Sequence, residues 1–208
     1  MLLLLGVLLA SPTTGQERPE LMTKITTRLI EPAPSLGSFP AQPKTIWRAG
    51  TKYARIAEAP DPQHKIHGLV IVNEPDVWMI NLFDKSGRHM VDPGPTFNAH
   101  LPIFEAAPGA KTKVAEVEFG RELEFFTKNK AKRSAGEAIS GRPTERYEVT
   151  IGDTRFVLWT DTQLKKPLRV SCIQGNQTQT IEYLVYEELK FDPSLFQPPA
   201  GIAIQDSK

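Results

Sequence analysis

Four histidines are the side chains of this 208-residue chain with the greatest potential for metal binding or acid–base chemistry. His64 and His67 are three residues apart in a segment of strand character. That spacing places them on opposite faces of a strand, so they cannot easily share a metal. His89, Asp92 and His100 could act together only if the intervening loop folds back. A secreted metal-dependent hydrolase is therefore the least favoured hypothesis.

Cys172 is the only cysteine of the sequence, which excludes an internal disulfide. It lies in the alternating run Leu168, Val170, Cys172, a pattern that predicts a small buried side chain in a strand. The sequence contains no phosphate-binding loop, dinucleotide fingerprint, Gly-x-Ser-x-Gly elbow or paired zinc motif. These observations predict a protein that binds a ligand and is not an enzyme, with no cofactor.

The charges of the chain are balanced, with 25 Lys and Arg against 24 Asp and Glu and a net charge of +1. Binding to nucleic acid requires clustered positive charge, so no nucleic-acid partner is predicted. The hydrophobic fraction of 40% and the charged fraction of 24% are typical of a globular domain with its own core.

Residues 1–10 read MLLLLGVLLA, an apolar run that is too short to span a membrane. Small and polar residues follow, with Thr13 and Gly15 at the positions that a signal peptidase reads. We predict a signal peptide at residues 1–15, one domain at residues 16–208, and a periplasmic or secreted location. No later segment approaches membrane-spanning length, so we expect no transmembrane segment in the mature chain.

The rest of the chain alternates short β-rich segments with turns rich in Pro, Gly, Asp and Asn, which is typical of antiparallel strands joined by hairpins. The predicted strands are 23–30, 45–48, 53–57, 66–73, 77–83, 88–91, 146–151, 155–160, 168–174 and 178–189. The DPSLF segment at 192–196 predicts a helical turn capped by Asp192, with Pro193 at its first position.

In the middle of the chain, the spacing of the apolar residues changes from that of a strand to that of a helix. Val114, Val117, Phe119, Leu123 and Phe126 recur at three- and four-residue spacing, which predicts an amphipathic helix at 114–129. Residues 131–139 could extend this helix or restart it. Its apolar face must cover one face of the sheet.

Several predicted strands are apolar on both faces, and a sheet of that kind needs cover on both sides. One face can take the predicted helix, and the other needs loops, a partner or a ligand. A core packed by loops and a lipid-sized cavity both satisfy the pattern. The candidate cavity residues are Trp47, Trp78, Ile80, Leu82, Phe119, Leu123, Phe156, Leu158, Tyr183 and Val185.

Two segments resemble LolA-like lipoprotein carriers. FVLWTDT at 156–162, followed by KPLR at 166–169, resembles that family's apolar strand ending in Asp, its Thr-containing turn and the Pro-Leu pair that opens the next strand. YEEL at 186–189, DPSLF at 192–196 and PPAG at 198–201 resemble its terminal strand, its turn ending in Phe and its Pro-x-Gly segment.

The resemblance covers residues 23–204 in element order, including TIWR at 45–48 and YARI at 53–56. It implies a mainly β, single-domain fold: a curved, unclosed, barrel-like antiparallel sheet with one or two helices over its concave face. The chain departs from the family twice. Residues 23–30 are strand-like where the family has a helix, and residues 64–104 have no family counterpart.

The resemblance also implies a function, namely an exported envelope protein that binds a lipid or lipoprotein acyl group in a hydrophobic cavity, either as a carrier or as a binding protein alone. The implied partners are a lipid or acylated protein and an envelope membrane protein. The alternative is a non-enzymatic module of the cell envelope that binds another protein through its apolar face.

Overall fold

The protein is described by a computed structural model that covers residues 19–34, 42–104 and 113–207. The signal peptide predicted at 1–15 lies outside these residues. The strands are β1 Leu21–Glu31, β2 Lys44–Ala49, β3 Tyr53–Glu58, β4 Gly68–Asn73, β5 Asp76–Asn81, β6 Ser86–Val91, β7 Lys132–Ile139, β8 Arg142–Ile151, β9 Thr154–Asp161, β10 Pro167–Gln174, β11 Gln177–Lys190 and β12 Ala203–Asp206.

These strands form one twelve-stranded sheet in the order β12-β6-β5-β4-β3-β2-β1-β11-β10-β9-β8-β7. Neighbouring strands are antiparallel except β12, which runs parallel to β6. β12 and β7 are the two edge strands and do not pair with each other, so the described sheet is unclosed. The helix α1, Glu122–Lys128, packs on one face. The predicted fold class, a mainly β, curved, unclosed antiparallel sheet with helical cover, is confirmed.

Tight turns set the register of the C-terminal hairpins. Gly152 joins β8 to β9 with a φ of 64°, and Gly175 joins β10 to β11 with a φ of 56°. Glycine adopts this left-handed conformation without the steric cost that a Cβ brings. Both turns lie between pairs of predicted strands, 146–151 with 155–160 and 168–174 with 178–189.

The helix face, defined as the sheet face on which α1 packs, carries the larger core. Ile25, Phe156 and Val170 on this face are fully buried and belong to the same apolar cluster as Phe125 and Phe126 of α1. The rings of Phe125 and Phe156 meet edge to face with 5.2 Å between their centroids. The cluster ties α1 to the central strands of the sheet.

The opposite face carries a smaller core, covered by the segment that follows β11. A 3₁₀ turn at Pro193–Phe196 places the fully buried Phe196 against Ile71 of β4. The carboxylate of Asp192 accepts a hydrogen bond from the Ser194 amide at 2.9 Å. The predicted helical turn and its cap are therefore confirmed.

The helix predicted at 114–129 is wrong in its extent. The structure has a 3₁₀ turn at Lys113–Glu116, and α1 begins only at Glu122. Between them, residues 117–119 form backbone hydrogen bonds with residues 101–103, a non-local pairing that no local periodicity reveals. Gly120, at a φ of 79°, then turns the chain into α1. Among the described residues, no helix is long and apolar enough to cross a membrane.

The helical extension considered for residues 131–139 is also wrong, because these residues form β7. Lys130 adopts a φ of 54°, the Ala131 amide donates to the Phe126 carbonyl, and the Lys130 amide donates to the Thr127 carbonyl. This double hydrogen bond is the Schellman motif that ends helices. It reverses the chain, and β7 then pairs with β8 along the sheet edge.

Candidate binding cavity

An open cavity of about 1300 Å³ lies on the helix face of strands β1–β6. Its floor is a row of residues that lie directly opposite one another on β2 to β6, namely Ile46, Ile56, Val70, Met79 and Arg88. Directly opposite residues share a sheet face. The row crosses four strand spacings, about 19 Å. It is therefore a continuous apolar strip that ends in a cation.

The residues on the two sides of this floor row differ in character. Two positions along each strand in one direction lie Arg48, Ala54 and Val72, which are buried. The positions two residues away from the floor row in the opposite direction along each strand form a polar row, and this row also lines the cavity. This polar row consists of Thr27, Lys44, Glu58, Gly68, Asn81 and Ser86. The cavity is thus amphipathic, with an apolar floor bordered by polar groups.

A short segment outside the sheet covers part of the cavity. Pro102, Ile103 and Phe119 line it from this side. The Ile103 amide donates to the Val117 carbonyl at 2.8 Å, and the Phe119 amide donates to the Leu101 carbonyl at 2.9 Å. The cover is therefore a short two-stranded ladder, which takes the place of the helix predicted through this region.

A buried ion pair joins this cover to β2. The guanidinium of Arg48 lies 2.8 Å from a carboxylate oxygen of Glu118 and donates to the Phe119 carbonyl at 2.8 Å. The imidazole of His100 contacts the other oxygen of Glu118 at 2.9 Å. Burial raises the pKa of Glu118, but the hydrogen bonds from His100 and Arg48 outweigh it, so the pKa is lowered overall. The carboxylate is therefore held in its charged form.

A second buried carboxyl lies at the start of α1. Oε1 of Glu122 accepts hydrogen bonds from the Tyr183 hydroxyl at 2.8 Å and from the Gly120 amide at 2.9 Å. Burial raises the pKa of Glu122 to about 7. Burial and the neighbouring Glu122 raise the pKa of Tyr183 far above its ordinary value. The first turn of α1 is thus tied to β11 through a titratable group.

The structure divides the candidate cavity residues among four places. Phe119 lines the cavity, and Ile80 borders it from a strand position whose side chain packs in the core of the opposite face. Phe156, Leu158 and Tyr183 are buried in the helix-face core, and Leu123 packs against that core. Trp47, Trp78 and Leu82 pack in the core of the opposite face. Val185 is half-buried on β11, away from the cavity lining.

The sequence reasoning missed all five floor residues. On β5 it selected the face of Trp78 and Ile80, whereas Val77 and Met79 point to the helix face. Strand alternation says which residues share a face but not which face is covered. Arg88 lies in the predicted strand 88–91, where no local pattern of the sequence marks it as a cavity residue.

Three of the four histidines, His64, His89 and His100, contact carboxylates, and they do so in separate places. His89 lies 2.8 Å from both Asp76 and Asp206, and the hydrogen bonds to Asp206 and Asp76 raise its pKa. His64 lies 2.7 Å from Asp61. Within the described ranges, no group of three or more His, Cys, Asp or Glu side chains is arranged to hold a metal ion. His89 and His100 therefore belong to different local clusters.

Cys172 is buried on β10, as its alternating sequence pattern predicts. Burial raises the pKa of its thiol to about 11. The thiol is therefore protonated at neutral pH, and the side chain serves as a small apolar group in the helix-face core.

No family model matches the sequence, and no curated protein matches it. An uncharacterized conserved protein from Thermus thermophilus aligns with a TM-score of 0.53 at 7% identity, over 89% of this chain and 90% of that chain. The MucA/MucB complex of Pseudomonas aeruginosa gives 0.47 at 12%, over 86% and 56%. The LolA superfamily protein NE2245 from Nitrosomonas europaea gives 0.35 at 10%, over 87% and 91%.

Of these three similarities, that to the Thermus thermophilus protein has a TM-score above 0.5, and at 7% identity it shows the fold alone. The order of the strands and the position of α1 provide further evidence on the fold. A single unclosed antiparallel sheet with a helix on one face is the architecture implied by the resemblance at 156–169 and 186–201.

Proposed function

We propose that this chain is an exported protein of the cell envelope that binds the acyl chain of a lipid or lipoprotein in the cavity on β1–β6. The observation that carries the proposal is the apolar floor row, which lines an open cavity of about 1300 Å³. Pockets for small molecules commonly enclose about 300–1,000 Å³, so this cavity has room for a bulky aliphatic ligand.

The polarity of the lining supports an amphiphile as the ligand. Ile56, Val70 and Met79 offer an apolar surface, and burying an acyl chain there removes that surface from water. The bordering polar row lets a headgroup keep its hydrogen bonds. A ligand that is apolar at one end and polar at the other matches both regions.

Binding without catalysis belongs to the same proposal. The polar groups beside the floor are largely committed to structural contacts, because Lys44 pairs with Glu58 at 2.9 Å and Arg28 pairs with Glu182 at 2.6 Å. The amide of Asn81 donates to the Lys65 carbonyl. A carrier needs only this apolar surface and a way for the ligand to enter and leave.

Export is part of the proposal and is supported by the leader-like residues 1–15. A periplasmic or secreted protein would meet lipid or acylated protein at the membranes of the envelope. On this account the mature chain begins near Gln16.

Native mass spectrometry of the gently purified protein tests the proposal. We expect wild type to carry a bound lipid mass, or to take one up from added labelled lipid. Val70→Trp should abolish that mass, because the indole would fill the middle of the floor row. Tryptophan is a favourable strand residue, so the fold should persist.

Val91→Trp is the matched control, since Val91 is 59% exposed on β6 and does not line the cavity. This variant should bind as wild type does. Recovery of bare wild type that takes up no added lipid would overturn the proposal. Concentration-dependent association of that lipid-free protein would instead support the alternative of a protein-binding module.

A further inference from the structure

The residue at the end of the floor row, Arg88, carries a positive charge that makes no contact stabilising the described fold. Arg88 lies opposite Met79, so its side chain shares the face of the apolar floor and lines the cavity. Among the residues that the structure describes, its guanidinium has neither an ion-pair nor a hydrogen-bond partner. A cation at the end of an apolar strip is the arrangement that an anionic amphiphile complements.

The other charges of the lining are matched within the protein. Lys44 pairs with Glu58, and Arg28 pairs with Glu182. The carboxylate of Glu58 also lies against Gly68, where any Cβ would clash with it. The ion pair therefore joins β2 to β3 and lies against β4. Among the described residues of the lining, Arg88 carries a positive charge that no carboxylate pairs.

The C-terminal strand supplies a second donor beside Arg88. β12 pairs with β6 so that Gln205 lies opposite Arg88, and Gln205 lines the same cavity. A Cβ at Gly87 would lie 2.9 Å from the Cδ1 atom of Ile204, so glycine at this position leaves room for the Ile204 side chain of β12. A guanidinium and a side-chain amide, neither bonded to another described residue, thus meet at one end of the cavity.

We infer that the ligand of this cavity carries an anionic headgroup, such as a phosphate monoester, which Arg88 and Gln205 bind while the acyl chain lies along the floor row. This inference rests on the proposed function, because it names the headgroup class of the same site. Arginine matches phosphate through paired N–H donors and retains its charge at any physiological pH.

The test compares two lipids that differ only in the phosphate, 1-hexadecanoyl-glycerol 3-phosphate and 1-hexadecanoyl-glycerol, by equilibrium dialysis of delipidated full-length protein below the micellar concentration. Wild type should bind the phosphate lipid about tenfold more tightly, as a charge-assisted hydrogen bond allows. Raising the salt concentration should reduce that preference, because the guanidinium is exposed.

Arg88→Gln should remove the preference, so that this variant binds the phosphate lipid and the neutral lipid with equal affinity. Arg88→Lys should retain part of it. Arg155→Gln is the matched control, because Arg155 is an exposed arginine on β9 outside the cavity lining, and it should keep the full preference. Inorganic phosphate at the same concentration should not displace the phosphate lipid.

The outcomes separate the two claims. Equal binding of both lipids by wild type, or a preference that survives in Arg88→Gln, would overturn the anionic headgroup and leave acyl binding intact. Displacement by inorganic phosphate would reassign Arg88 to a free anion. Failure of both lipids to bind wild type would overturn the proposed function and this inference with it.

Discussion

Phe126→Ala should lower the free energy of unfolding by about 3–5 kcal/mol, the range measured for large-to-small aromatic substitutions in packed cores. Phe126 is fully buried, and its ring packs 5.4 Å from that of Phe125. The Phe126 carbonyl also accepts the amide of Ala131 in the motif that ends α1. Removing the ring leaves a cavity between α1 and the sheet. Urea denaturation of both proteins measures the difference.

Phe83→Ala is the control for this prediction, because Phe83 is a phenylalanine of the same size that is 47% exposed beyond the end of β5. Its cost should stay within about 0.5 kcal/mol, as for surface substitutions. A loss of less than about 1 kcal/mol in Phe126→Ala, equal to that of Phe83→Ala, would show that α1 does not pack on the sheet as described.

Glu122→Gln should change how stability depends on pH. A glutamate in an unfolded chain has a pKa of about 4.3, whereas burial raises the pKa of Glu122 to about 7. Between these values the native protein binds more protons than the unfolded chain does. Its free energy of unfolding therefore falls as the pH rises and levels off above pH 7, a loss of roughly 3 kcal/mol from this group.

The glutamine variant lacks this titration but keeps an oxygen for the hydrogen bonds from Tyr183 and Gly120. We expect the difference in stability between variant and wild type to shift in favour of the variant by roughly 3 kcal/mol between about pH 4.5 and pH 8. Denaturant titrations at several pH values measure it. Glu118 titrates in both proteins, so its contribution cancels in the difference.

Glu124→Gln provides the matched control on the same helix. Glu124 is exposed and pairs with Arg121 at 2.7 Å, and exposed pairs contribute little to stability. This variant should follow the wild-type pH dependence. Parallel curves for wild type and Glu122→Gln would contradict the buried, proton-binding carboxyl.

Ten of the twelve described strands could be predicted from the sequence because their signals are local, whereas β7 and β12 could not. Alternating β-branched and aromatic residues and left-handed glycines such as Gly152 and Gly175 act within a few residues. The extent of the helix could not be predicted from the sequence, for two reasons. Residues 117–119 pair with residues 101–103, which are distant in sequence. The helix ends at Lys130 in the left-handed conformation that glycine usually adopts at this position. Both features depend on contacts or conformations that periodicity does not encode.

The cavity was harder to predict than the fold. Period-two alternation groups Trp78 with Ile80 and Val77 with Met79, but only the packed structure shows that the second group lies on the helix face of the sheet. The position of Arg88 depends on a register that crosses five strands. A binding site formed by one residue from each strand leaves no contiguous motif in the sequence.

The central claim is that an acyl chain occupies the helix-face cavity, and photo-crosslinking tests it most directly. A fatty acyl probe with a diazirine near its methyl end would be bound, irradiated and mapped by peptide mass spectrometry. The account predicts covalent labels on floor residues such as Ile56, Val70 and Met79, and their loss in Val70→Trp. Labels confined to Trp47, Trp78 and Leu82 on the opposite face, or no label above that of Val70→Trp, would contradict it.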